Sequence, residues 1–380
     1  MSEMKIAFDA KRAFYNGTGL GNYSRFIINN LVQYAPDNCY QLFTPGLGNA
    51  RLRAQLTPHA SLQTCLPQRW IDRRLPAWWR SHGLLEDVES QQVDLYHGLS
   101  NELPIGIDRS SVASVVTLHD LIFLRFPQLY PPIDRLIYRY KFRKACEMAD
   151  LVIAISEQTR RDLVSFFKIP ETKIEVLYQG CDPVFSQPVA PAQMAAVRAA
   201  YQLPDSYILY VGSIEERKNL LLLLQAVKGL REPISVVAIG RRTAYTKQVE
   251  RYIREQGLEQ QVRLLHQVPF HDLPAFYRMA SLFVYPSLFE GFGIPIIEAE
   301  SAGLPVIAAT GSCLEEAGGA GALYTDPHRP EELRSLIRSV LTEPGLADSL
   351  IRQGAEQVRR FAPEGLTRQL LQCYRQLLRG

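Results

Sequence analysis

Long apolar runs are missing from this sequence. None approaches the about 18 consecutive residues that a membrane-spanning helix needs, and Leu220 to Leu224 is among the longest. Charge of one sign is missing as well. The formal net charge is +3 over 380 residues, which excludes a protein built around a strongly basic nucleic-acid face. The six cysteines are scattered at 39, 65, 146, 181, 313 and 373, with no Cys-x-x-Cys and no histidine at zinc-finger spacing. Metal binding and thiol catalysis are therefore not expected, and each cysteine reads as a buried thiol in a reducing compartment. Met1 to Phe8 lack a basic end followed by an apolar stretch, so no secretory leader is expected and the cytoplasm is the expected location. No Asp-x-Asp pair occurs anywhere.

What is present is enough apolar material for two cores: 47% of residues are hydrophobic, in a chain too long for one ordinary domain. Short runs of Val, Ile, Leu and Tyr alternate with helical patterns, which predicts parallel sheets with crossover helices. Strands are expected near 4–9, 40–44, 93–97, 112–118, 150–155 and 174–178, and again near 207–212, 234–239, 262–266, 281–285, 305–309 and 322–325. Helices are expected over 21–34, 134–148, 157–167, 219–229, 245–256, 271–279, 295–303 and 330–342. The two series are separated by a proline-rich break from Asp182-Pro183 to Pro191, which predicts domains over 1–184 and 185–362. The last stretch, 363–380, carries Leu366, Leu370, Leu371, Tyr374 and Leu378 on one stripe and reads as a helix. Two doubly wound α/β domains in series predict a ligand cleft at the carboxyl ends of their strands.

Four segments follow strands and carry chemistry. Gly17-Thr18-Gly19-Leu20-Gly21 precedes a helix, where a phosphate contact and a merely tight turn are both open. Thr117-Leu118-His119-Asp120 places His119 at a strand end, either as an anchor of the next turn or as a sugar or acid/base contact. Arg217-Lys218-Asn219 stands between a strand and a leucine-rich helix. The two cations suit a diphosphate, although surface pairs of this kind are common and Asn219 reads as an N-cap. The segment Glu290-Gly291-Phe292-Gly293-Ile294-Pro295-Ile296-Ile297-Glu298 sets one carboxylate in a loop and a second about one turn into a helix, with glycines whose N–H groups are open to a ligand. Two carboxylates so placed can hold two sets of sugar hydroxyls, although a helix dipole also favours an acid near its start.

The Glu290–Glu298 segment resembles the motif of the retaining glycosyltransferases of family four. The glycine loop 17–21, His119-Asp120, Arg217-Lys218-Asn219 and Gly303-Leu304-Pro305-Val306-Ile307 fall in that family's order, over roughly residues 4 to 327. Within the family, the sequence resembles mannosyl- and rhamnosyltransferases of bacterial O-antigen and exopolysaccharide assembly. The resemblance implies the GT-B fold, two Rossmann-like domains facing across a cleft, with the C-terminal helix crossing back to domain one. It also implies that Glu298 takes the ribose, Arg217 and Lys218 the diphosphate, and Glu290 with Gly291, Phe292 and Gly293 the donor sugar. Gly19 and Gly21 would approach the donor phosphate, and His119 would lie beside the transferred sugar. Two loops depart from the family pattern, at Gln179-Gly180-Cys181-Asp182 and at Leu314-Glu315-Glu316.

The resulting expectation is metal-independent, cofactor-free transfer of a hexose, with mannose from GDP-mannose ahead of dTDP-rhamnose or a UDP-sugar. Without Asp-x-Asp, the leaving diphosphate would be stabilised by Arg217, Lys218 and helix N-termini. The acceptor would be a saccharide or a polyprenyl-linked saccharide. A sugar-nucleotide epimerase of the same fold and a non-catalytic nucleotide-sugar binding subunit are the competing readings. Peripheral contact with the inner membrane face is expected from Arg69 to Arg80, which holds all three tryptophans, and from the basic, aromatic stretch Arg135–Lys144. The same residues also fit an acceptor-side wall or a core with solvated arginines.

Overall fold

The computed structural model describes residues 3–379, which divide into two compact units, 3–179 with 362–379, and 180–361. In the first unit seven parallel strands run β1 (Lys5–Asp9), β2 (Cys39–Phe43), β3 (Leu62–Cys65), β4 (Leu95–Gly98), β5 (Ala113–Leu118), β6 (Leu151–Ala154) and β7 (Ile174–Val176). Their order in the sheet is β3-β2-β1-β4-β5-β6-β7, so the direction of winding reverses between β1 and β4. Alternation along β1 shows why helices cover both faces. Ile6 and Phe8 pack with helix α1 (Gly19–Tyr34), whereas Ala7 joins the opposite core with Trp79 and Val116. The second long helix, α2 (Pro132–Met148), follows β5. The C-terminal helix, Pro363–Leu377, buries Leu366, Leu370, Leu371 and Tyr374 on the α1 side of this sheet. Its Tyr374 hydroxyl lies 2.5 Å from Nδ1 of the buried His97, whose Nε2 meets Thr117 Oγ1 at 2.8 Å.

The second unit opens with helix α3 (Pro191–Tyr201) and has six parallel strands: β8 (Tyr207–Val211), β9 (Ser235–Ile239), β10 (Val262–Leu265), β11 (Leu282–Tyr285), β12 (Val306–Ala309) and β13 (Ala322–Thr325). The order β10-β9-β8-β11-β12-β13 reverses between β8 and β11. The helices that matter for its site and support are α4 (Leu220–Lys228), α5 (Ile294–Ser301) and α6 (Leu346–Gln357). The structure differs from the sequence reading in several elements, among them helices α3 and α6, which were not expected, and in the domain boundary. β3, with two of its four residues exposed, was not expected, because an edge strand carries little apolar signal. The units divide at 179/180 rather than 184/185. The ring of Phe185 packs against Phe270 and Tyr277, and Arg278 donates to the carbonyls of Ser186 and Gln187, so the proline-rich stretch belongs to the second unit.

Candidate functional site

The reversal between β8 and β11 sets two loops side by side at the strands' carboxyl ends, where α/β sheets leave a crevice. The loop after β8 carries Arg217 and Lys218, and the loop after β11 carries Glu290. Backbone and side chains tie the two loops together. Leu288 N–H donates to Arg217 O at 2.8 Å, the Arg217 guanidinium donates to Phe289 O, and Asn219 Nδ2 donates to Pro286 O at 3.1 Å and Pro327 O at 2.8 Å. Asn219 occupies the N-cap position of α4 with φ +57°, and its side chain makes no cap bond. The expected N-cap role is thus corrected: the amide spans three loops instead.

These ties converge the charges. Arg217 Nη1 lies 2.9 Å from Glu290 Oε2, and Lys218 Nζ lies 2.7 Å from Glu290 Oε1, with the side chains of all three nearly buried. Tyr285, the last residue of β11, sits between them. Its hydroxyl is 2.5 Å from Lys218 Nζ and 3.2 Å from Glu290 Oε1, and the ammonium lies 5.0 Å from its ring centroid. Burial by itself would raise the Glu290 pKa, but Lys218 and Arg217 outweigh it and hold the carboxyl at about 2. The site therefore carries a permanent carboxylate and two cations. An ammonium has three N–H donors, and Glu290 and Tyr285 engage two of those on Lys218, which leaves one for an anion.

From Gly291 the chain turns into α5. Gly293 has φ +140°, and a Cβ there would come 3.1 Å from Leu314 Cδ2, so this turn favours glycine. Phe292 is buried against Phe361, and the Cys313 thiol lies 3.1 Å from Glu290 O and 2.9 Å from Phe292 O. Neither Tyr285 nor Cys313 was singled out from the sequence. The only signal was a hydroxyl closing an apolar strand, Leu282-Phe283-Val284-Tyr285, since a buried phenol needs a polar partner. Glu298 lies one turn into α5 and accepts from the Tyr277 hydroxyl at 2.7 Å. Burial raises its pKa to about 7, against the lowering effect of the Tyr277 bond and with a further push from Asp182.

The remaining expected residues belong to the first unit. Gly19 is the exposed first residue of α1, with open space where a side chain would stand. Gly21 differs from expectation. It is buried, its N–H donates to Thr18 O, and a Cβ would come within 1.8 Å of Asn16 O, so this glycine serves close packing rather than approach to a ligand. His119 is buried at the end of β5, with Nε2 at 2.9 Å from Leu99 O and Nδ1 at 3.2 Å from Gln179 Nε2. The Leu99 carbonyl requires Nε2–H, so Nδ1 accepts. Burial holds its pKa at about 4, and the imidazole is neutral at pH 7. The acid/base role is corrected to that of a satisfied, anchoring histidine.

The membrane expectation is corrected in part. Trp70 and Trp78 are exposed, but Trp79 is fully buried and donates to Asp87 Oδ2 at 2.7 Å. Arg69 pairs with Asp72 and Glu86, and Arg80 with Asp9 and Glu102. On α2, by contrast, Ile133, Leu136, Ile137 and Tyr140 are all exposed. No helix among the described residues is long and apolar enough to cross a membrane.

Comparison with known proteins bears on both units. Residues 28–185 match the model for Glycosyltransferase Family 4, and residues 197–357 match that for Glycosyl transferases group 1. The chain is 29% identical to O-antigen chain mannosyltransferase B of Escherichia coli, over 98% of this chain and 100% of that protein. Its fold is similar to that of sucrose-phosphate synthase from Thermosynechococcus elongatus (TM-score 0.78, 22% identity, 99% of each chain). It is also similar to Anabaena HepE in complex with UDP-glucose (TM-score 0.75, 19% identity, 98% of this chain and 100% of the other). At these identities the two structures bear on the fold alone, which is GT-B.

Proposed function

Because this chain belongs to the glycosyltransferases of group 1 and family 4, we propose that it moves mannose from GDP-mannose to a saccharide hydroxyl in cell-surface polysaccharide assembly, with retention at the anomeric carbon. The observation that carries the reading is the Arg217–Lys218–Glu290 cluster at the reversal of the second sheet. Negative charge grows on the diphosphate as the glycosidic bond to it breaks. Two fixed cations within a nearly buried site stabilise that charge without reorganising at the moment of reaction. Glu290, ionised at any physiological pH, accepts from hydroxyls of the donor sugar, and Glu298 accepts from the ribose. The acceptor attacks on the face that the diphosphate leaves, so the leaving phosphate takes its proton. The choice of mannose and of a guanine base rests on the mannosyltransferase named above.

Transfer on this scheme needs no divalent ion, since the sequence holds no Asp-x-Asp and the protein's own cations do that work. Thermal-shift panels of GDP, UDP, dTDP and ADP, each with its sugar, test the donor. A ligand that binds only the folded protein raises the midpoint, and GDP and GDP-mannose are expected to raise it most. Turnover of the preferred donor is expected only with an acceptor present and should survive excess EDTA. A donor altered without acceptor would favour epimerisation, and a rate that collapses with chelator and returns with magnesium would overturn metal independence.

A further inference from the structure

Glu298 is supported from outside its own helix. The Tyr277 hydroxyl donates to its Oε2 at 2.7 Å, whereas Oε1 has no protein partner among the described residues. A half-buried carboxylate with one oxygen engaged and the other open is set to accept from a further donor. Tyr277 lies on the short helix Leu273–Met279, which has Pro274 in its first turn and turns Ala275, Phe276 and Tyr277 inward. Its ring packs on two sides, with Phe185 edge-on at 5.3 Å between centroids and Phe283 of β11 tilted at 5.5 Å. A fully buried ring packed in this way has a fixed axis, so the hydroxyl stays on the carboxylate. The stretch before Phe185 supplies the other neighbours. Asp182, whose Oδ1 accepts from Val184 N–H at 3.0 Å, disfavours charge on Glu298, and Cys181 Sγ lies 3.6 Å from Ser301 Oγ of α5. Tyr277, Asp182 and Cys181 are the titratable groups that face Glu298 among the described residues. Burial pushes the Cys181 thiol up to about 12, so it stays neutral, and holds the Tyr277 phenol well above its ordinary value, so it remains a donor up to pH 9. Between pH 6 and 9, therefore, the phenol favours the carboxylate form of Glu298 and Asp182 opposes it.

We propose that Tyr277 is a positioning residue for donor binding: its hydroxyl holds Oε2 of Glu298 so that Oε1 is presented to the ribose hydroxyls. The proposal deepens the donor side of the function proposed above and rests on it for the ribose as the group that meets Oε1. Tyr277 acts through the carboxylate, because its own hydroxyl is already engaged on Oε2. The bond gives the carboxylate form a charge-assisted contact that the protonated form lacks. Its loss should therefore move the titration of Glu298 upward, whereas a phenol that only fills space would lower affinity alike at every pH. Removal of the Asp182 charge should move the same titration downward, which gives the two neighbours opposite signatures.

The carboxyl carbon-13 resonance of Glu298, identified by its loss in Glu298→Gln, reads the first step on the full chain without nucleotide. Tyr277→Phe keeps both ring contacts, and Asp182→Asn keeps an oxygen for the Val184 N–H. The Glu298 titration should rise by about one pH unit or more in Tyr277→Phe and fall in Asp182→Asn. Should Tyr277→Phe fail to fold, 3-fluorotyrosine installed at position 277, a more acidic phenol and a stronger donor, should lower the titration instead. A titration that Tyr277→Phe leaves in place or lowers, or that the fluorinated phenol does not lower, would overturn the proposal. Calorimetry with GDP at pH 6, 7, 8 and 9 reads the second step, with Glu298→Gln as the reference. The affinity of Tyr277→Phe should be about fivefold weaker than that of the wild type at pH 7 and nearly equal to it at pH 9. A loss of the same size at every pH would reduce Tyr277 to a structural phenol. The two measurements separate the two readings. A Glu298 titration that moves in Tyr277→Phe while GDP affinity ignores pH takes the ribose from Glu298 alone. A wild-type GDP affinity that rises with pH while the titration stays in place in Tyr277→Phe sinks the positioning role alone.

Discussion

Lys218 and Glu290 show how strongly a few atoms are coupled at the site. Replacing Lys218 with alanine removes a charge-assisted contact of about 1.5–3 kcal/mol, so kcat/KM should fall about ten- to a hundredfold. Because Lys218 also compensates the buried Glu290 carboxylate, the unfolding midpoint should fall as well. Normal kinetics in the folded variant would remove Lys218 from the diphosphate site. Glu298 is different in kind, because burial sets its pKa at about 7. If its carboxylate form accepts from ribose hydroxyls, nucleotide affinity should rise as pH increases from 6 to 8, and Glu298→Gln should abolish that rise. Titration of GDP by calorimetry at three pH values reads this directly. A pH-independent wild-type affinity would take the ribose role from Glu298.

At the scale of the element, α5 carries Glu298 and, two residues on, Glu300. The Glu300 carboxyl is buried with neither oxygen hydrogen-bonded, and Gly321 and Gly354 come close to it: a Cβ at Gly321 would lie 2.6 Å from Glu300 Oε1. Burial raises its pKa to about 9, so the folded protein holds a proton there that the unfolded chain releases above its ordinary carboxyl pKa. The stability this contributes is present in full at low pH and is lost as pH rises through about 9. Glu300→Gln keeps the shape without the titration. Between pH 5 and 9 the wild-type midpoint should fall relative to that of the variant, by several kcal/mol at most in stability terms, at about 1.4 kcal/mol per pKa unit. Parallel pH profiles would show that the carboxyl finds a partner in solution. The same element shows what could be read from the sequence. Pro295 and the glycines marked the start of α5, whereas the fate of Glu300 depends on Gly354 of α6, more than fifty residues away in the chain.

For the whole molecule, the proposal to test is contact of the first unit with an anionic leaflet, narrowed by the burial of Trp79 and the pairing of Arg69 and Arg80. Trp70, Trp78 and the α2 stripe remain exposed, with Arg74 and Arg139 exposed near them in sequence. Each basic residue at such a surface contributes about 1 kcal/mol, so reversing both charges should lower co-sedimentation with anionic vesicles by more than about tenfold at low salt. A wild type left in the supernatant, or a double variant Arg74→Glu/Arg139→Glu that sediments as well as the wild type, would exclude the membrane role.

The alternation of apolar strands with helices determined two doubly wound sheets by itself, because period-two and period-3.6 patterns are local properties of the chain. The motif residues also declared themselves locally, as glycines, cations and carboxylates just after strands. The tertiary structure alone decided what those side chains meet. It gave His119 a carbonyl and an amide, Gly21 the Asn16 carbonyl, Asn219 two proline carbonyls and Trp79 a carboxylate. The partners of His119 and Asn219 lie on other elements brought near by sheet order. Burial and protonation follow from such long-range contacts, on which a residue's own neighbours in sequence carry no information.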